Sequence, residues 1–469
     1  MLIKSFFTNS IGTLVSRIFG FIRDMLSASI LGANIYSDIF FVAFKFPNLF
    51  RRIFAEGAFT QSFIPSFIKS PRKALFTYTI FSRFLLFLII FSLIVTIFSE
   101  FFAKMIAFGF DDETVALSAP FVAINFYYLP LIFCVTLFGS LLQYKHHFAV
   151  TAFSTALLNI GMITALLLFQ NYDRKTIVYA LSYGVLVGGL LQVIAHLLAL
   201  KRDRFFKFLA LGFKYRHKKD AALEESRKSF NLSFWHSVIG NSTPQIVSFV
   251  DTTLASFLVT GSISYLYYGN RIFQLPLALF AIALTTGLFP RMTRLLKADK
   301  EEEAFNLLSQ GFWLLAFLLT TSTLGGFMLS DEIVWLLFEH GSFSKQDTAN
   351  TGFVLGMYMI GLIPFGLSKL FSLWLYARMR QKEAAIIAMY ALAANLIFSF
   401  SLIKPMGAAG LALAGSLSAF ILLFFTLRSF GLAKFFAILY SKKTLILVAL
   451  LLVEWGILRY AKELIHAYI

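Results

Sequence analysis

The chain has 469 residues, 58% of them hydrophobic and only 14% charged, about half the charged fraction of a soluble domain. Net charge is +17, but the cations gather in short segments between long apolar runs, as in the loops of membrane proteins, and no stacking motif or basic recognition helix points to nucleic acid. The single Cys134 lies inside an apolar run, so no intramolecular disulfide can form, and the lack of period-two alternation excludes a β-barrel.

The first predicted helix, 4–31, carries Arg17, Arg23 and Asp24 within it and leads straight into further spans, so it reads as a membrane helix rather than a cleaved leader. The second, 37–67, holds Asp38, Lys45, Arg51, Arg52 and Glu56. At ~1.5 Å per residue it would extend ~46 Å, longer than the ~30 Å hydrocarbon core. Pro47 and Gly57 are the expected points of bending or breakage, and Arg51 and Arg52 would lie ~21 Å below the outer end. Spans at 75–98, 117–144, 149–170 and 176–200 follow. His146-His147, between two of them, has no cysteine or carboxylate at ligand spacing and reads as a loop rather than a metal site.

The segment 201–228 carries ten Lys and Arg. It reads as a topology determinant and tether that can also rest on anionic headgroups. Further spans are predicted at 230–258, 262–290, 304–329, 350–377, 383–403, 407–428 and 442–461. The runs 85–98, 312–329 and 445–458 are nearly free of charge and give the strongest transmembrane signals. With the N-terminus inside, the cytoplasmic segments hold most of the Lys and Arg, and thirteen spans leave the C-terminus outside.

Two halves echo each other. Asp24-Met-Leu-Ser-Ala-Ser-Ile-Leu in the first helix resembles Asp251-Thr-Thr-Leu-Ala-Ser-Phe-Leu in the seventh, and Phe46-Pro47 and Ile64-Pro65 have counterparts in Leu275-Pro276 and Phe289-Pro290. The expected fold is therefore an all-α polytopic membrane protein with two six-helix lobes in a pseudo-two-fold arrangement around a central cavity. The N-lobe is 1–200, the basic linker 201–229, the C-lobe 230–428, and 429–469 adds about one further transmembrane helix. Rocking of two such lobes gives alternating access.

Insertion scales place a central Arg at ~2.5–3.5 kcal/mol, so Arg17, Arg51 and Arg271 together cost roughly 8–10 kcal/mol unless they meet water, a counter-charge or a ligand. Seven embedded cations (Arg17, Arg23, Lys45, Arg51, Arg52, Arg271, Lys369) stand against four acids (Asp24, Asp38, Glu56, Asp251). Any single one can serve as an ion-pair brace, and Arg23 with Asp24 or Arg52 with Glu56 are obvious pairs. The surplus of three cations points instead to an anionic ligand. Guanidinium binds phosphate in bidentate fashion and does not titrate, which suits phosphate better than a proton relay. No glycine-rich phosphate loop or convergent acid–base set is present, so nucleotide hydrolysis and lipid-phosphate chemistry lack residues to carry them.

Ser16-Arg-Ile-Phe-Gly-Phe-Ile-Arg-Asp24 and Ser37-Asp-Ile-Phe-Phe-Val-Ala-Phe-Lys-Phe-Pro-Asn-Leu-Phe-Arg-Arg-Ile-Phe-Ala-Glu-Gly-Ala-Phe59 closely resemble the MurJ (MviN) lipid II flippase family. So do Tyr267-Tyr-Gly-Asn-Arg271 with Pro276, and Gly410-Leu-Ala-Leu-Ala-Gly-Ser-Leu-Ser418. The resemblance covers about the first 430 residues. It implies a fold of the multidrug/oligosaccharidyl-lipid/polysaccharide exporter type and a cargo, undecaprenyl-diphosphate-linked disaccharide-pentapeptide, moved from inner to outer leaflet of the bacterial cytoplasmic membrane for cell-wall synthesis. It further implies Arg17, Arg23, Arg51 and Arg271 as essential arginines and Asp38 and Glu56 as important acids; the embedded charges Asp24, Lys45, Arg52 and Lys369 are read from their position as secondary cavity charges.

Three departures stand out. Asn270 replaces the acid the family often has before the arginine of helix eight. One helix follows Leu427 where the family commonly has two, so its lipid-tail groove is incomplete or differently built. The sodium site of some members is half present: Asp251 and Asn395 fit, while Ser399 replaces a carboxylate and Gly415 a hydroxyl. No cofactor is expected, and coupling lies open between sodium and membrane potential. The expected partners are lipid II and membrane lipids, with one chain working as a monomer. The rivals are a flippase for another lipid-linked oligosaccharide, a related multidrug exporter, whose cavity should be acidic, and a membrane-embedded lipid-phosphate enzyme.

Overall fold

The computed structural model describes residues 2–51, 58–145, 147–201, 205–216 and 221–468. Arg52, Glu56, Gly57 and His146 lie outside the described residues, as do parts of the basic linker. The described residues form helices: α1 Leu2–Leu31, α2 Ile35–Phe50, α3 Phe59–Lys69, α4 Lys73–Ile97, α5 Ser99–Ile106, α6 Asp112–Phe126, α7 Tyr128–Tyr144, α8 Ala149–Phe169, α9 Arg174–Lys201, α10 Phe205–Lys214 and α11 Ala221–Ala255. There follow α12 Ser262–Pro276, a π-helical turn at Leu277–Ile282, α13 Ala283–Lys297, α14 Glu301–Met328, α15 Ser330–Phe338, α16 Lys345–Ile360, α17 Leu362–Ala377, α18 Gln381–Phe430, α19 Leu432–Leu439 and α20 Lys442–Tyr468.

Nine helical segments among the described residues are long and apolar enough to cross a membrane. One of them, Gln381–Phe430, folds back at Gly407, whose φ of 56° and ψ of −131° lie outside helical space, so it supplies two of the expected spans. The remaining three expected spans are α1, α2 with α3, and α11, which fall outside that apolar set. The chain is an all-α, multi-pass membrane protein.

Two compact units emerge, Met1–Thr260 and Gly261–Ile469. The long helix α11 thus packs with the first unit, and much of the basic linker is itself helical. In the first unit, α3, α4, α7 and α11 share an aromatic core. The Phe59 ring lies 5.4 Å from Phe63, 5.6 Å from Phe133 and 5.6 Å from Phe230, spacings at which ring edges and faces attract beyond simple burial. The C-terminal end of α11 is tied down too: Thr253 Oγ1 donates to the Ile106 carbonyl at 2.9 Å, and the Gly109 amide donates to Ser256 Oγ at 2.8 Å.

Helices α8 and α9 pack through glycine. A Cβ on Gly188 would stand 2.8 Å from the Leu158 backbone, and one on Gly161 2.7 Å from the Gly184 carbonyl oxygen. Close backbone approach of this kind drives helix association in lipid, where apolar burial contributes little. Gly188→Leu is therefore expected to destabilise the unit by at least about 1–3 kcal/mol, seen as a lower thermal midpoint in detergent. Gly456→Leu, at a position with nothing within 4 Å, should leave the midpoint unchanged.

The second unit repeats the element order of the first. A long helix followed by a short one (α4–α5, α14–α15) leads to a helix broken near its middle. The breaks fall at Tyr127, between α6 and α7, and at Gly361, between α16 and α17. At the second break Ser416 Oγ donates to the Met357 carbonyl at 2.6 Å, and a Cβ on Gly361 would meet Ser416 Oγ at 2.7 Å. The small-residue stretch Gly410 to Ser418 is thereby a packing surface. Helix α20 lies along α14, held where Lys462 Nζ donates to the Met328 carbonyl at 2.9 Å and pairs with Glu332 at 3.4 Å. It is the one crossing-length helix after α18 among the described residues.

Candidate functional site: the intramembrane charges

Burial sorts the embedded charges by sign. Asp24 is 1% exposed and Asp38 2%, whereas Arg17 and Lys369 are exposed and Lys45, Arg51 and Arg271 half-buried. Two of the described charges depart from this sorting: Arg23 is buried, at 5%, and Asp251 is half-buried. An accessible guanidinium at membrane depth is stable only against water, counter-charge or ligand, so each cation is defined by its neighbours.

In the first unit, Arg17 forms no hydrogen bond or ion pair among the described residues. One and a half turns further along α1, Arg23 is enclosed. Its Nε and Nη2 donate to Asp24 Oδ1 at 3.0 and 2.5 Å, and its Nη1 donates to Asn159 Oδ1 at 3.0 Å and meets Met162 Sδ at 3.6 Å. Asn159 is oriented in turn by donating from Nδ2 to the Ser16 carbonyl at 3.2 Å. Arg23 and Asp24 thus brace α1 against α8. Asp38 sits in the first turn of α2, which Asn34 and Ser37 cap reciprocally; a carboxylate there is favoured by the helix dipole.

Further down α2, Lys45 Nζ donates to Ser248 Oγ on α11 at 2.7 Å. Asp251 is one turn along from Ser248 on the same helix. Arg51, at the end of α2 and four residues beyond Pro47, donates from Nε and Nη2 to Asn48 Oδ1 at 3.2 and 3.1 Å. Pro47 lies within α2, which runs to Phe50, and α3 starts at Phe59; the other expected point of breakage, Gly57, lies outside the described residues.

In the second unit, Arg271 lies on α12 five residues before Pro276, after which the chain takes the π-helical turn. Wide turns of this type often mark functional positions. Arg271 Nη2 donates to Tyr267 Oη at 3.2 Å, with its Cζ 5.3 Å from the Tyr267 ring centre. Asn270, standing where an acid is common in the resembled family, accepts instead from Gln274 Nε2. Lys369 on α17 forms no hydrogen bond or ion pair among the described residues.

The sequence pattern pointed to the charges but not to Tyr267, Asn48, Ser248 or Asn159. The first two were within reach, at helical spacings of four and three from their arginines. Ser248 and Asn159 come from distant helices and carry no local signal.

The half-present sodium set divides between the units: Asp251 in the first, Asn395 and Ser399 in the second. Asn395 and Ser399 are one turn apart on α18, 1% and 0% exposed, and their side-chain polar atoms have no hydrogen-bond partner among the described residues. Gly415 offers no side chain towards them; a Cβ there would be 4.0 Å from Asn395 Nδ2. One amide oxygen and one hydroxyl fit sodium only in part, because a hard cation of this kind needs several oxygens and gains most from carboxylate. Among the described residues no cluster of three or more His, Cys, Asp or Glu could hold a metal.

Comparison with known proteins gives a consistent picture. Residues 27–469 match the family described as lipid II flippase MurJ. A probable lipid II flippase MurJ of Helicobacter pylori (strain ATCC 700392 / 26695) is 48% identical over 434 residues, covering 91% of this chain and 94% of its own. The corresponding protein of Aquifex aeolicus is 35% identical, covering 76% and 68%. Among solved structures, a lipid II flippase MurJ in an inward closed conformation superposes with a TM-score of 0.77 at 24% identity, covering 97% of this chain and 99% of the other. An inward-facing multidrug resistance MATE family transporter of the MOP superfamily superposes with a TM-score of 0.64 at 13% identity, covering 93% and 99%. At these identities the structural likenesses concern the fold alone.

Proposed function

The chain belongs to the lipid II flippase MurJ family, and from that premise we propose that it carries lipid II from the inner to the outer leaflet of the bacterial inner membrane. The observation that carries this reading is the family match across residues 27–469. The charges supply its chemistry: exposed and half-buried cations, with Asp24 and Asp38 withdrawn into the protein, suit a diphosphate and peptide carboxylates. The lipid tail stays in the bilayer while the headgroup crosses by alternating access.

In this reading Arg17, Arg51, Arg271 and Lys369 hold the headgroup, Lys45 tunes the same field beside Asp251, and Arg23 with Asp24 holds α1 in place. Glu56 retains the role the family resemblance implies, and Arg52 is a secondary cavity charge. The N-terminus is cytoplasmic, the chain works as a monomer, and it makes and breaks no covalent bond in its cargo. The test is to deplete a bacterium of its own lipid II flippase, express this protein, and measure lipid II accessible at the outer surface. Restored exposure is the expected result. Well-inserted protein without restored exposure would transfer the reading to another lipid-linked saccharide.

Coupling falls to the membrane potential in this proposal, since each elementary charge moved across 100 mV is worth about 2.3 kcal/mol. Replacing sodium at constant potential is expected to change export by less than about twofold, whereas collapsing the potential should lower it by tenfold or more, the scale of one charge at 100 mV. A sodium requirement at constant potential would restore the half-present site as the coupling element.

A further inference from the structure

In the second unit, the two arms of α18 flank an open groove of about 400 Å³ at the end opposite the Gly407 fold-back, within the range of small-ligand sites. Its polar rim is Arg380, Glu383, Arg428 and Ser429, and its apolar wall includes Ile386, Tyr390 and Phe425. The carboxylate is already engaged. Arg380 Nε donates to Glu383 Oε2 at 2.7 Å, Arg380 Nη1 to the Ser429 carbonyl at 3.1 Å, and Ser429 Oγ to Glu383 Oε1. Arg428 is exposed and, alone among the charged lining groups, forms no hydrogen bond or ion pair among the described residues. Nearby, Arg378 and Lys434 share Glu301. Two guanidiniums against one neutralised carboxylate leave the rim positive.

The wall is as telling as the rim. Ile386 is 48% exposed and Tyr390 51%, on a helix arm whose exposed residues between 385 and 400 are all apolar or aromatic, and the Tyr390 and Phe425 rings lie 5.2 Å apart. A soluble anion would leave this wall wet. A molecule with a phosphate at one end and hydrocarbon at the other would cover both parts. Basic pockets between transmembrane helices at the positively charged membrane face select such lipids. We propose that this groove binds an anionic diacyl phospholipid, its phosphate on Arg428 and Arg380 and its first methylenes along Ile386, Tyr390 and Phe425. The site is separate from the charges assigned to cargo and does not depend on which cargo the protein carries.

The test is lipid titration of the purified full chain by native mass spectrometry, comparing phosphatidylglycerol with phosphatidylcholine. Arg428→Gln should weaken phosphatidylglycerol binding about fivefold, as expected for one basic group at an anionic lipid surface, and leave phosphatidylcholine unchanged. Ile386→Trp, which keeps every charge but fills the apolar slot, should weaken both lipids. Lys442→Gln, outside the groove, should alter neither. Arg428 is exposed and makes no hydrogen bond or ion pair among the described residues, so its variant should fold, as its elution profile will show. Wild-type phosphatidylglycerol binding in both groove variants would overturn the proposal, as would an equal loss in Lys442→Gln. Displacement of the lipid by excess inorganic phosphate, with Ile386→Trp still binding normally, would overturn it in favour of a soluble anion.

Discussion

Replacing Arg271 by alanine is expected to lower lipid II export about 10- to 100-fold while the protein stays inserted at wild-type abundance. The range follows from losing a charge-assisted hydrogen bond to an anion, about 1.5–3 kcal/mol, read as a rate. Folding should survive because Arg271 is half-buried and its Nη2 rests on Tyr267, one turn before it on the same helix. Arg17→Ala should behave alike, since Arg17 forms no hydrogen bond or ion pair among the described residues. Arg271→Lys should fall between alanine and wild type: it keeps the charge but loses the planar fork that grips a phosphate at two points. Outer-surface lipid II, measured at matched expression in flippase-depleted cells, ranks the variants. Wild-type export by both alanine variants would reduce these arginines to structural parts.

The fold was largely legible because hydrocarbon imposes a simple rule on sequence. Runs such as 85–98 and 312–329 can only be buried or face lipid, and both fall in the long helices α4 and α14, each run ending on the helix's C-cap residue. Illegible elements were the short ones. Helices α5, α15 and α19 have eight, nine and eight residues, too few for apolar periodicity to separate them from the ends of adjoining spans. The π-helical turn after Pro276 was likewise hidden, because proline announces a disturbance but not its form.

The charges were legible as a set but not as individuals. Composition shows that Arg17 and Arg23 share a helix, and at six residues apart they point in quite different directions around it. One meets Asn159 across a helix interface; the other meets no polar group among the described residues. That distinction lives in packing against α8, which no local pattern encodes. The motif Gly410 to Ser418 behaves in the opposite way. Its small residues marked family resemblance in the sequence, and the structure supplies the physical cause, close approach to the break at Gly361.

Arg23→Ala should therefore fail differently from Arg17→Ala, by loss of folded protein. Asp24 is 1% exposed and takes two guanidinium hydrogen bonds from Arg23. Removing the cation leaves a buried carboxylate without it, a change that costs about 3–5 kcal/mol. Against a net stability of about 5–15 kcal/mol, that should lower the thermal midpoint in detergent and the amount of inserted protein. Replacing the whole pair, Arg23→Met with Asp24→Leu, removes the uncompensated charge. It should recover most of the midpoint, short of about 1–3 kcal/mol for the donor lost to Asn159. If the pair is a brace, the double variant also regains export, because α1 again packs on α8 and Arg17 keeps its place. A double variant that folds but exports nothing would instead make Arg23 a headgroup ligand, and so would an Arg23→Ala protein that melts like wild type yet is inactive. Melting and export read from one preparation separate the two roles.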